Sequence, residues 1–235
     1  MKLLAFETAT EACSVALWLD GEVHERFEVA PRRHAELSLP WADALLAEAG
    51  IARSQLDALA VSRGPGAFTG VRLGISIVQG IALALDRPVV AVSTLAVLAA
   101  GAQAPPANVL ASIDARMGEV YAGAFALRDG EPVPLGPETV GDAGGVHLPP
   151  ADGDWQGIGT GFAAGDRALA VRLAPGLAHI DASALPRAGV LARLAARAAA
   201  RGELLSPERV EPAYLRDQVA LTLAEQQALR KERDR

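Results

Sequence analysis

Short runs in which every residue is apolar alternate along this chain with longer stretches in which apolar residues recur every three or four positions. Leu3-Leu4-Ala5-Phe6 ends at Glu7, and after a small turn Ser14-Val15-Ala16-Leu17-Trp18-Leu19 forms a second run. Runs this short, bounded by turn residues, predict buried strands. Asp20-Gly21 separates the second run from residues 22–29, and Asp-Gly between two strand patterns predicts a tight hairpin. Residues 35–49 instead carry Leu37, Trp41 and Leu45 on one helical stripe and Leu39, Ala42, Leu46 and Ala49 on another. Residues 70–85 do the same, with Val71, Ile75, Val78, Ala82 and Leu85 opposite Leu73, Ile77, Ile81 and Ala84. A helix apolar nearly all round is covered on more than one side, either by its own core or by a partner.

The first pattern returns in the second half. Val109 to Ile113 ends at Asp114, Arg116 and Gly118 turn the chain, Val120 to Leu127 runs back, and Asp129-Gly130 reverses it again. Each copy is completed by helix, strand and helix: residues 35–49, 57–61 and 70–85 in the first, 163–171, 177–180 and 187–201 in the second. The break falls at Gln103-Ala104-Pro105-Pro106, where prolines and small residues interrupt both periodicities. The expected architecture is α/β, with two βββαβα lobes at 1–103 and 104–216, a cleft between them and a tail at 217–235.

The densest local signal is Ser62-Arg63-Gly64-Pro65-Gly66-Ala67-Phe68-Thr69-Gly70-Val71-Arg72-Leu73-Gly74, a glycine-rich turn between a strand and a helix. Glycines let the backbone turn tightly and approach a ligand, and free amides at a helix start favour an anion. A turn packed on neighbouring structure gives the same pattern. Gly157-Ile158-Gly159-Thr160-Gly161-Phe162 is a weaker echo in the second half.

Composition narrows the chemistry. The 235 residues are 51% hydrophobic, enough for a sizeable core, and the net charge of -6 leaves no basic footprint for holding nucleic acid by its phosphates. Cys13 is the only cysteine, which excludes an internal disulfide, and its apolar surroundings read as a buried structural thiol. The N-terminus lacks a signal-peptide pattern and residues 70–85 are short and glycine-bearing for a membrane span, so a cytoplasmic protein is expected. Lys2 and Lys231 are the only lysines, so no phosphate loop of the G-x-x-x-x-G-K-[ST] kind exists. His24, His34, His147 and His179 lack the i,i+4 spacing of a helical metal pair, and Ser14 or Ser62 has no marked histidine and carboxylate partners.

The glycine segment, together with Leu4-Ala5-Phe6-Glu7-Thr8-Ala9-Thr10-Glu11-Ala12-Cys13-Ser14, Val92-Ser93-Thr94-Leu95, Ile113-Asp114-Ala115-Arg116-Met117-Gly118-Glu119-Val120-Tyr121 and Glu211-Pro212-Ala213-Tyr214-Leu215-Arg216, resembles the bacterial TsaB (YeaZ) family. The resemblance covers nearly all of residues 3–216. It implies the fold of the actin, sugar-kinase and Hsp70 (ASKHA) superfamily, in which the acidic turns, here Glu7 with Thr8 and Thr10, and Asp114, face a nucleotide's phosphates or metal. Gly64, Gly66 and Thr69, with Gly159 and Gly161, would frame that cleft. Glu7 departs from the aspartate usual in nucleotide-hydrolysing relatives. The catalytic sister family carries two metal-binding histidines at places that fall here on Thr94 and Leu98, neither of which suits a metal, and Ser93-Thr94 reads as a helix N-cap.

The resemblance therefore implies a non-catalytic dimerisation subunit in tRNA threonylcarbamoyladenosine modification. It would pair with the catalytic sister TsaD and the ATPase TsaE, or with itself alone, and meet tRNA only through the complex. No metal or cofactor would belong to this chain, with ATP or ADP entering at the level of the complex. The pairing surface is expected on the two apolar helices, at Leu37, Trp41, Leu45, Val71, Gly74, Ile75, Ile77, Val78, Gly80 and Ile81, with Gly74 and Gly80 admitting a close helix. The alternatives are a stand-alone ATP-dependent kinase or hydrolase of the same superfamily, or a metallopeptidase-like protein.

Overall fold

The computed structural model describes residues 1–102 and 107–216. The expected break at 103–106 and the tail at 217–235, with Lys231, lie outside them. In the first lobe, β1 (Lys2–Glu7) pairs antiparallel with β2 (Ala12–Leu19), which reverses at Asp20-Gly21 into β3 (Glu22–Val29). Both turn residues have positive φ, 48° and 111°, as a tight hairpin demands. Helix α1 (His34–Glu48), β4 (Ala58–Ser62), α2 (Phe68–Leu85), β5 (Val89–Val92) and α3 (Thr94–Ala100) follow. The sheet runs β3-β2-β1-β4-β5, with β1, β4 and β5 parallel.

The second lobe repeats the plan with β6 (Asn108–Arg116), β7 (Glu119–Arg128), β8 (Glu131–Pro134), β9 (Thr139–Asp142), β10 (Trp155–Ile158), α4 (Ala168–Leu173), β11 (His179–Asp181) and α5 (Ala188–Ala200). Its sheet runs β11-β10-β6-β7-β8, with β9 also on β7. The duplicated α/β plan holds, but the matching of elements inside the second copy is corrected. The strand parallel to β6 is β10, so α4 corresponds to α2 and α5 to α3. Where α1 would stand, between β8 and β10, the chain makes β9 and a short 3₁₀ turn at 143–145. Gly136, Pro137, Gly141, Gly144, Gly145, Pro149 and Pro150 make this stretch a poor helix. Helix α4 begins at Ala168 instead of 163, because Asp166 and Arg167 adopt left-handed backbone just before it.

Each lobe lends its last helix to the other. Leu95, Leu98 and Ala99 of α3 pack on Val109, Ala111, Ile113, Phe125 and Ile158 of the second sheet. Leu191, Ala192, Leu194 and Ala195 of α5 cover Leu3, Ala5, Ala16, Ala58, Ala60 and Val90 of the first. The opposite face of that sheet, with Leu4, Phe6, Val15, Leu17, Leu59 and Val61, takes α1 and α2. Side chains alternate along a strand, so a central strand covered on both faces must be apolar throughout, as β1 is.

Candidate functional site

The glycine loop lies directly against the turn between β1 and β2. A Cβ on Gly66 would overlap the carbonyl oxygen of Ala9, one on Gly70 the carbonyl of Thr8, and one on Gly74 would sit 2.6 Å from Thr8 Oγ1. Ala67 N donates to Ala9 O at 2.7 Å and Thr8 Oγ1 to Gly70 O at 2.8 Å. Gly64 has φ of +94°, a backbone that favours glycine, and Ala213 N closes over the loop by donating to Arg63 O at 2.8 Å. The glycines at 66, 70 and 74 thus serve approach of the chain to itself. Thr10 is buried, and Thr69 is exposed on the first turn of α2. Sequence alone marks Gly70 and Ala213 only as parts of longer motifs; their contacts with Thr8 and Arg63 join distant segments that no local pattern announces.

The second lobe uses the same device. A Cβ on Gly159, whose φ is +107°, would overlap Ser112 O, and one on Gly161 would overlap Ser112 Oγ. The carboxyl groups beside the two turns differ. Glu7 is fully buried; its Oε1 accepts from Ala9 N at 2.8 Å, while Oε2 and the hydroxyl of Ser62 on the next strand have no hydrogen-bond partner. Burial pushes the Glu7 pKa up to about 7, against the opposing pull of Ser62 and the amides of Ala9 and Thr8. Ser62 is near enough to favour the carboxylate, although no bond of ordinary geometry joins the two. Glu7 therefore holds its proton well above the ordinary carboxylate range and is a weak anchor for a cation. Asp114 is partly exposed, accepts from Arg116 N at 2.8 Å and pairs with the Arg116 guanidinium at 3.1 Å, while its amide donates to Thr160 Oγ1 at 3.2 Å.

Thr94 and Leu98 are buried, Leu98 in the core of the second sheet, and Thr94 Oγ1 has no hydrogen-bond partner. Ser93 caps α3, its Oγ accepting from Leu95 N at 3.1 Å and Ala96 N at 3.4 Å, and it donates to Glu138 of the second lobe. Burial raises the Glu138 pKa, and the Ser93 bond partly offsets it. Among the described residues no group of three His, Cys, Asp or Glu side chains could hold a metal ion. His34 sits half-buried at the start of α1 with Nε2 3.0 Å from Thr10 O and 3.1 Å from Ala12 O, a tie to the β1–β2 turn.

The apolar helices each bury one stripe in this chain's core, and α2 is also met by the segment at 207–210. Leu37, Leu45, Val71, Gly74, Ile75 and Val78 are buried in this chain's own core, so these six of the expected pairing residues are already used. Helical geometry forces the choice: the stripe that meets β1 and β4 cannot also meet a partner. Trp41, Ile77 and Ile81 are half-buried, and Gly80 is exposed with nothing within 4 Å of where a Cβ would stand. Beside them Phe68 is 66% exposed, Leu83 63% and, on α1, Leu39 48%. Helix α2 starts at Phe68, so its 18 residues are long and apolar enough to cross a membrane by length and composition, yet only 33% of them are buried in the folded chain. Its docking through Val71, Ile75 and Val78 makes it a helix of the first lobe, with an apolar edge left facing out.

Three comparisons bear on this arrangement. Residues 22–143 match the family described as TsaD, tRNA N6-adenosine threonylcarbamoyltransferase. The Escherichia coli (strain K12) tRNA threonylcarbamoyladenosine biosynthesis protein TsaB is 42% identical over 94% of this chain and 96% of its own length. Its Haemophilus influenzae namesake is 50% identical over 52% of each chain. The solved structure of YeaZ from Pseudomonas aeruginosa superposes with a TM-score of 0.83 at 46% identity, covering 91% of this chain and 99% of that one. The two-lobed architecture is accordingly the ASKHA-like one.

Proposed function

The chain belongs to the TsaB (YeaZ) family and has a role in tRNA threonylcarbamoyladenosine biosynthesis, and on that premise we propose that it acts as a non-catalytic pairing subunit for the catalytic sister TsaD. The observation that carries this reading is the outward edge of α2. Leu73, Ile77, Gly80, Leu83 and Ala84 recur at three- and four-residue spacing along the helix, with Gly80, Leu83 and Ala84 exposed and Leu73 and Ile77 half-buried beside them. Apolar area of this kind is stabilised by burial against another surface, at about 25 cal/mol per Å². Gly80, with nothing among the described residues within 4 Å of where a Cβ would stand, lets a second helix backbone come close. Trp41, Ile81 and Leu39 extend the same surface.

The silent chemistry is supported by the other half of the site. Both glycine turns are filled by the chain's own backbone, Glu7 is buried beside an unpartnered hydroxyl, and the loop has no lysine to reach a phosphate. Any ATP or ADP is then handled by the assembly, with TsaE as its ATPase, in the cytoplasm. Without the sister subunit the same apolar edge would join two copies of this chain. Size-exclusion chromatography with the sister subunit tests the pairing: co-elution is expected for the parent and for Ile75→Val, and its loss for Leu83→Asp, at a position 63% exposed, with an unchanged melting temperature. Co-elution of Leu83→Asp at parental affinity would overturn this placement of the interface, and failure of the parent to co-elute would overturn the pairing itself.

A further inference from the structure

At the N-terminal end of α2 the exposed surface changes character. The Arg72 guanidinium lies 3.4 Å from the ring centroid of Phe68 and 5.0 Å from that of Tyr214. Its Nη2 donates to the Tyr214 hydroxyl at 2.5 Å and its Nη1 to Phe68 O at 3.1 Å. Phe68 is 66% and Tyr214 60% exposed, so two aromatic rings face solvent around one cation. Burying them is not what holds the lobe together, since its core is formed by other side chains.

The strap that presents Tyr214 is held at every step. Leu205 bridges to β5, Gln79 Nε2 donates to Pro207 O at 2.9 Å and Val210 O at 3.3 Å, and Val210 is buried in the first lobe's core. Ala213 N then binds Arg63 O, and Arg216 reaches Ala115 O at 3.3 Å and Glu119 in the second lobe. In a chain whose net charge is -6, Arg72 forms no ion pair among the described residues, whereas the Arg63 charge bears on Glu138 of the second lobe. At the turn where the strap ends, Met117 is 89% exposed, and Arg116 and Met117 both hold positive φ, 66° and 57°.

We infer that Phe68, Arg72 and Tyr214 form a stacking platform for an unpaired base of the RNA loop on which the assembly acts; this rests on the proposed pairing role. Sequence-tolerant RNA contacts combine exposed aromatic faces with a guanidinium, and these are the groups brought together here. A protein helix would be served by the apolar edge of α2 further along, which contains no cation. One arginine neutralises few phosphates, so the contact is weak for the chain alone and adds to the affinity of the assembly.

Two readouts test it. Ultraviolet crosslinking of the isolated full-length chain to a high concentration of an unmodified tRNA anticodon hairpin should give adducts at Phe68 or Tyr214, whether or not pairing occurs; adducts confined to other residues, or none, overturn the platform. In the chain–sister complex, titration with the same hairpin should show affinity falling roughly tenfold for Tyr214→Ala and more for Phe68→Ala with Tyr214→Ala, and retained for Tyr214→Phe. Unchanged RNA affinity in the double variant overturns the platform. So does a loss that occurs only where co-elution with the sister subunit is lost too, which would assign the cluster to the protein interface.

Discussion

Glu7 and Asp114 stand at matching turns, one closing β1 and the other near the end of β6, and each turn is met by glycines that have no room for a side chain. The backbone device is the same; the carboxyl groups are not. Glu7 continues the face of β1 whose Leu3 and Ala5 lie under α5, and there it is stripped of water and raised to about 7. Asp114 keeps access to solvent and an arginine two residues away. A duplicated pattern therefore fixes where the chain turns, while the cover placed over each turn decides how far its acid is stripped of water. Beside these turns the outer edge of α2 leaves Phe68 and Leu83 exposed.

The largest effect that would break this comparison is steric. Gly70→Ala puts a methyl group into the Thr8 carbonyl, a backbone atom that cannot rotate away, and is expected to destabilise by roughly 3 kcal/mol or more in chemical denaturation. An unchanged midpoint would mean that the loop does not rest on the β1–β2 turn. Ile75→Asp buries an unpaired charge at a position 5% exposed and should cost several kcal/mol, on the scale of a whole domain's stability. Leu83→Asp, at a position 63% exposed on the outer edge of the same helix, should be nearly neutral in the isolated chain.

Next in size is a pH effect. Folding raises the Glu7 pKa from 4.5 to about 7, so the folded chain holds a proton that the unfolded chain has lost in between. That contribution is complete below about pH 4.5 and is lost as pH rises through 7, by on the order of 3 kcal/mol for this one group. Glu7→Gln should remove this component from the pH dependence of the melting temperature. If the variant follows the parent's curve, Glu7 is ionised in the folded protein. Asp114→Asn, by contrast, loses an exposed ion pair and should shift stability by no more than about 1 kcal/mol.

Strands β1 to β4, β6 to β8 and β11, the two Asp-Gly hairpins and, to within two residues, the limits of α1, α2 and α5 are legible in the sequence, because short unbroken apolar runs and helical stripes are local signals. β5, β9 and β10 are not: in β10, Trp155-Gln156-Gly157-Ile158 is four residues with a glycine inside, and only its pairing with β6 makes it a strand. The exchange of α3 and α5 between lobes is equally hidden, since an apolar helix face does not say which sheet it will meet. In α2 both stripes are visible, but Ile75 and Ile77 are the same residue type, and only the docking on β4 separates core from surface. The glycines pose the same ambiguity, because approach to a phosphate and approach to Ala9 require the same missing side chain. The cluster around Arg72 joins residues from α2 and the far end of the chain, and no local pattern announces it.

Cys13 is the only cysteine and is buried, so one added thiol reports on one place. Leu83→Cys puts that thiol at a position 63% exposed on the outer edge of α2. Maleimide labelling of the dilute chain, with and without the catalytic sister subunit, tests the pairing surface most directly. Fast labelling of the free chain and strong protection in the co-eluting complex are predicted; equal labelling in both, with the complex intact, would contradict the assignment of this edge as the interface.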